Sequence, residues 1–129
     1  REPSVVNGAL NYGYAIILSA CNREAAASGY MTQLGLFHDN IFNPFNLGSD
    51  LMEPFRPLVD REVLSMTLEN QLTADNKKDL INILNQKVII QDRLTTVTQA
   101  IGIYSRSVFR AMEEKGPDTI AFYRLPDEG

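Results

Sequence analysis

The stretch SVVNGALNYGYAIILSACNREAAAS, residues 4–28, carries the longest uninterrupted helical pattern in the chain. Its apolar residues, among them Val5, Val6, Ala9, Leu10, Tyr12, Ile16 and Leu18, cover more of the surface than a narrow stripe would. That width predicts a central helix contacted from several sides. Gly29 is a suitable stop, because glycine adopts the left-handed conformation without a Cβ clash. Gly8 and Gly13 fall inside the pattern. Each weakens a helix by about 1 kcal/mol relative to alanine, so a closely packed neighbour is expected at both.

Outward from this helix, residues 30–48 lose all periodicity and mix aromatics with Asn and Pro, which predicts a structured loop. Ser49 or Asp50 can cap a second helix running to about Met66, kinked or irregular at its start because Pro54 and Pro57 each remove a backbone donor. Thr73 should cap a third helix, residues 74–86, with Leu80, Ile81, Ile83 and Leu84 facing inward. Residues 87–90 and 94–95, around Gln91-Asp92-Arg93, can form one short hairpin. Thr96 opens a last helix, residues 97–115, stopped by Gly116-Pro117. The expected fold is mainly α, with a helical domain over residues 1–117 and an extended or mobile tail over 118–129.

Composition narrows the classes of function. The 129 residues are 44% apolar and 22% charged, which fits one globular domain. No apolar run approaches the roughly 18 residues of a membrane span, so no membrane association is expected. The chain opens at Arg1 with no charged-then-apolar leader, so no signal-bearing precursor is expected. A single cysteine, Cys21, excludes an internal disulfide framework and a cysteine-rich zinc site, and fits a reducing compartment. On its apolar helix it should be a packed, inert thiol. The net charge of −4 argues against a simple basic nucleic-acid binder. Residues 1–60 carry three Lys/Arg against six Asp/Glu, so the acidity gathers in the half that holds the candidate ligands.

His38 is the sole histidine and sits between Phe37 and Asp39. Taken alone, such a histidine more often satisfies a backbone carbonyl than binds a metal. The helix start DLMEPFRP, residues 50–57, changes the balance. Asp50 suits the positive end of the helix dipole. Glu53 follows one turn later beside the Pro-interrupted backbone, with Arg56 next to it. A loop imidazole and a carboxylate from an irregular helix start can converge on one divalent ion, and mixed ligation of this kind suits Mg²⁺ or Mn²⁺.

Three stretches carry a resemblance: NGALNYGYAIIL (7–18), QLGLFHDNIFNPFN (33–46) and SDLMEPFRPLVD (49–60). They closely resemble the CRISPR spacer-acquisition endonuclease/integrase family, here called Cas-one, and its type II members most nearly. The resemblance fades from Arg1 to about Met112. It implies a metal-dependent DNA endonuclease and integrase with an N-terminal β domain, absent here, and a C-terminal helical catalytic domain, which this chain represents. It implies antiviral defence in a prokaryotic cytoplasm, with foreign DNA fragments inserted into the CRISPR repeat by 3′-hydroxyl attack. The implied partners are double-stranded DNA, a second copy of the enzyme, the small Cas-two subunit and other type II CRISPR proteins. The family's metal site is a Glu, a His and a second carboxylate. The His maps onto His38 and the second carboxylate onto Glu53, with Asp50 as a neighbour that some members use. The stretch that bears the first Glu does not occur here, so the chain is expected to be part of a longer protein and inactive alone.

The remaining polar residues receive plainer expectations. Arg56 should support a phosphate or the Glu53 carboxylate, since its fork suits either. Asn40, Asn43 and Asn46 are loop formers that, near a metal site, can also reach DNA phosphate or sugar. Glu24 should be a solvated or locally paired helix residue. Tyr12 and Tyr14 should pack in the core or against another domain, with DNA contact the lesser alternative, and Lys77-Lys78, Arg106 and Arg110 should be solvated faces. The rival reading is a non-catalytic helical module for dimerisation or partner docking. A buried Glu53–Arg56 salt bridge without room for a metal would favour it.

Overall fold

The computed structural model describes residues 3–28, 47–114 and 116–127. The expected stop at Gly29, the loop over 30–46 and the last helical residue Lys115 lie outside them. Helix α1, Pro3–Ala27, buries Val5, Ala9, Gly13, Ile17, Ala20, Cys21 and Ala25. Helix α2 (Leu47–Met52), a 3-10 turn (Glu53–Phe55) and helix α3 (Arg56–Ser65) follow. Then come helix α4 (Ala74–Ile81), a second 3-10 turn (Asn82–Asn85), strands β1 (Lys87–Ile90) and β2 (Arg93–Thr96), and helix α5 (Val97–Glu114). Helix α1 packs against all four other helices, so the wide apolar surface does mark a central helix.

Its two glycines behave differently. A Cβ built at Gly13 would lie 2.5 Å from Val59 Cγ1, so α3 crosses α1 at this point and only glycine fits. Gly8 is exposed, and nothing among the described residues lies within 4 Å of a Cβ built there. The expectation of a close neighbour therefore holds at Gly13, while at Gly8 no described residue supplies one.

The second helix also departs from the capping prediction. It is already helical at Leu47, which places Ser49 and Asp50 inside it. Leu47 is buried, and Gly48 presses its backbone against the Asn22 side chain of α1. Burial of this pair draws the chain into helix before the capping residues. The irregularity predicted from the prolines is present, as the 3-10 turn Glu53–Phe55 between α2 and α3. Both prolines sit at the first or second position of a new segment, where the missing N–H costs no hydrogen bond.

Thr73 caps α4 as expected. Its Oγ1 accepts the Asn76 N–H at 3.1 Å and its own N–H donates to Asn76 Oδ1 at 3.0 Å. The helix tightens at Asn82 into the 3-10 turn. With three residues per turn, Leu80 and Ile83 stack on one side, and both are fully buried. Ile81 is carried outward and is 48% exposed, which corrects its assignment to the inward face.

The hairpin pairs Ile90 with Arg93 and Lys87 with Thr96, so the second strand is longer than the pattern suggested. Gln91 and Asp92 both have positive φ, 52° and 63°, which defines a two-residue turn whose twist matches the strands. Val88 and Ile90 face the core. Thr96 then caps α5 reciprocally with Gln99, through two hydrogen bonds of 3.1 Å. After a 3-10 turn at Pro117–Thr119 the chain returns along the body. Backbone hydrogen bonds of 2.8 Å in both directions join Arg124 to Ile89, and the Ala121 N–H donates to the buried Ser107 Oγ at 2.9 Å. The segment from Asp118 is therefore tied to the helical body. No helix among the described residues is long and apolar enough to cross a membrane.

Candidate functional site

The sequence Met52-Glu53-Pro54-Phe55-Arg56 places one aromatic between two charges, and the 3-10 turn sorts them to opposite sides. Phe55 points inward and is fully buried. Its ring meets Tyr104 edge-on at 5.7 Å between centroids and stacks on Tyr123 at 5.0 Å. Tyr123 also donates its hydroxyl to the Pro54 carbonyl at 2.7 Å. The turn is thus bolted from inside by the C-terminal segment, and Glu53 and Arg56 project outward.

Arg56 Nη1 donates to Glu53 Oε2 at 3.0 Å. Their side chains are 42% and 59% exposed, so this pair is open to solvent and is not the buried salt bridge that would have favoured the docking-module reading. The contact uses one oxygen only; among the described residues no donor reaches Glu53 Oε1. The guanidinium carbon of Arg56 lies 4.5 Å from the centre of the Tyr14 ring, across from α1. The Tyr14 hydroxyl in turn donates to Asp60 Oδ1, one turn beyond Arg56 on α3. The hydrogen bond to Asp60, then burial, then the Asp60 charge push the Tyr14 hydroxyl above its ordinary range, so it stays a donor at neutral pH. The hydrogen bond and charge of Glu53 raise Arg56 further above its already high value.

Asp50 is exposed one turn before Glu53, in the first turn of α2. Among the described residues no group of three or more His, Cys, Asp or Glu side chains could hold a metal ion. His38, Asn40, Asn43 and Asn46 lie outside the described residues. Glu24 sits ten residues beyond Tyr14 on α1, about 15 Å along the axis, and receives Arg106 Nη1 of α5 at 3.3 Å. Arg106 is therefore paired. Lys77 lies 5.8 Å from the Tyr12 ring centre, so it too is more than a solvated charge. Cys21 is fully buried, which pushes its thiol up to about 12 and leaves it unreactive.

Sequence reasoning singled out Glu53 and Arg56 and missed Tyr14 and Asp60. A signal existed: Asp60 follows Arg56 at the four-residue spacing of helix neighbours. Nothing in sequence pointed to Tyr14 across the helix–helix contact.

Comparison with known proteins places these residues in a family. The family model described as CRISPR associated protein Cas1 matches residues 2–100, which include every residue of the cluster and His38. A relative from Neisseria meningitidis, named CRISPR-associated endonuclease Cas1, is 38% identical over 105 residues, covering 78% of this chain and 34% of that protein. The Archaeoglobus fulgidus protein of similar name is 36% identical over 73 residues, covering 56% of this chain and 21% of its own. A Thermus thermophilus relative, likewise named an endonuclease, is 39% identical over 77 residues, covering 59% of this chain and 24% of its own. The chain belongs to the Cas1 family of CRISPR-associated proteins. It spans about a third or less of the length of these relatives.

Proposed function

We propose that this chain supplies the helical half of the metal site in a CRISPR-adaptation endonuclease/integrase. The observation that carries the reading is Glu53: an exposed carboxylate on a Pro-set turn, with one oxygen held by Arg56, inside the stretch matched by the family model. A carboxylate oxygen that no donor among the described residues reaches suits a hard divalent cation such as Mg²⁺ or Mn²⁺. His38 and Glu53 would hold it, with Asp50 close enough in sequence to assist. The described residues supply Glu53 and Asp50 only, so the rest of the donor set comes from His38 and from the longer protein.

The reaction is insertion of a foreign DNA fragment into the CRISPR array, in which a 3′-hydroxyl attacks a repeat phosphodiester. A bound divalent ion supplies charge neutralisation at the attacked phosphate. The chain's own residues do the rest of their work by placement. Phe55 and Tyr123 fix the turn, and Arg56 holds Glu53 Oε2. Asn40, Asn43 and Asn46 are assigned to DNA sugar and phosphate, as is Arg56 once DNA is bound. The cellular setting is a prokaryotic cytoplasm, with double-stranded DNA, a second copy, the small Cas-two subunit and other type II CRISPR proteins as partners. The acidic first half of the chain fits a design in which the ion, the rest of the enzyme and these subunits carry the positive charge that DNA requires.

The test uses the longer protein that carries this chain. Mn²⁺ titration of strand transfer should show activity abolished by His38→Ala and by Glu53→Ala. Unchanged strand transfer in both variants would overturn the assignment. The 129-residue chain alone should bind metal weakly and show no nuclease activity; robust cleavage sensitive to His38→Ala would contradict that part of the reading.

A further inference from the structure

An exposed Glu–Arg pair three residues apart is ordinarily loose, because both side chains keep rotamer freedom and water screens the attraction. A free arginine next to a metal-binding carboxylate is also a competitor, since its fork can take both oxygens. Neither description fits Arg56. Among the described residues its guanidinium bonds Glu53 through Oε2 alone, and it lies over the face of the Tyr14 ring. An aromatic face attracts a guanidinium and fixes the plane in which it lies. The ring is itself prevented from turning away, because its hydroxyl is held by Asp60. Asp60 stands on the same helix as Arg56, so the tether closes on itself: α3 to α1 and back to α3.

We infer that Tyr14 and Asp60 are positioning residues for Glu53, anchoring Arg56 so that it holds one carboxylate oxygen and leaves the other for a divalent cation. The inference rests on Glu53 being a metal ligand, as proposed above. Tyr14 and Asp60 touch neither metal nor DNA in this scheme. They act through Arg56, and the chemistry asked of them differs. Tyr14 must present a ring face and a hydroxyl donor; Asp60 must present only an acceptor.

That difference sets the experiment. In the longer protein, Mn²⁺ affinity is measured by the electron paramagnetic resonance signal of free Mn²⁺, alongside strand transfer and thermal unfolding. The variants are Glu53→Ala, Tyr14→Phe, Tyr14→Leu, Asp60→Asn and Asp60→Ala. Loss of an outer contact that orients a metal ligand lowers metal affinity by about tenfold or more. That loss is expected for Tyr14→Leu, with a smaller one for Tyr14→Phe and for Asp60→Ala, both of which keep the ring under Arg56 and lose its tether. Asp60→Asn, which still accepts the tyrosine hydroxyl, should restore affinity close to that of the parent. Unchanged or tighter Mn²⁺ binding in Tyr14→Leu and Asp60→Ala, with binding lost in Glu53→Ala, would overturn the positioning role while leaving the metal assignment standing. Full Mn²⁺ binding in Glu53→Ala would instead remove the reading on which it rests. Should Tyr14→Leu fail to fold, the Asp60→Ala and Asp60→Asn pair decides alone: equal affinities in the two would overturn the inference.

Discussion

Glycine 13 and glycine 8 occupy the same helix and show how far one residue's meaning depends on what crosses it. At Gly13 the Val59 side chain occupies the space a Cβ would need. Gly13→Ala should destabilise the chain by about 1–3 kcal/mol, the usual cost of overfilling a packed contact. At Gly8 the space is open among the described residues, and only backbone freedom is at stake. Gly8→Ala should stabilise by about 0.5–1 kcal/mol through helix propensity. Chemical denaturation of the two variants beside the parent chain checks the opposite signs; equal signs would refute the packing account. Both glycines interrupt the helical pattern equally in sequence, so their difference was not legible there. The same holds for Tyr14, an aromatic on an apolar helix until Asp60 and Arg56 are seen around it.

At the scale of elements, local chemistry was readable wherever the deciding atoms lie within a few residues. Thr73 and Asn76 satisfy each other's backbone donors, as do Thr96 and Gln99, and both helix starts follow from those pairs. Thr73→Ala should cost about 1 kcal/mol, in the middle of the range for lost N-caps. The loss should appear as a lower unfolding midpoint, and as faster amide exchange in α4 than in α5. Elements failed to be readable where packing overrides propensity. Ser49 and Asp50 are good caps, yet the helix is already formed at Leu47 because Leu47 and Gly48 bury against α1. Ile81 fits an inward stripe until the 3-10 tightening at Asn82 turns it to solvent.

Across the whole molecule, the C-terminal segment and the candidate site are one mechanical unit. The two ends of this link are 69 residues apart in sequence: Tyr123 stacks on Phe55 and donates to the Pro54 carbonyl, directly under Glu53. The tie between Arg124 and Ile89 anchors the same segment to the hairpin. Removing the hydroxyl in Tyr123→Phe should cost about 0.5–1.5 kcal/mol, the usual net worth of one hydrogen bond. Tyr123→Ala should cost about 2 kcal/mol or more, because the stacked ring is lost as well. If the segment supports the turn, Tyr123→Ala should also weaken the Mn²⁺ response of the longer protein more than its stability loss accounts for at temperatures well below unfolding. A purely thermal effect would show the tail to be cladding without a role at the site.

Patterns of three to four residues, helix caps, proline placement and a two-residue hairpin turn all operate over short distances. Residues 1–129 therefore announced a mainly helical chain with one hairpin, a central first helix and an irregular backbone at Glu53 without any knowledge of contacts. The pairing of Glu53 with Arg56 belongs to that local class, three residues apart. The ring beneath Arg56, the acceptor behind that ring and the tyrosine under the turn belong to another. They come from positions 14, 60 and 123, brought together by burial of apolar surface between α1, α3 and the returning chain. Hydrophobic burial is nondirectional and leaves no spacing rule in the sequence. Its product here is a charged cluster whose members the one-dimensional pattern could not connect.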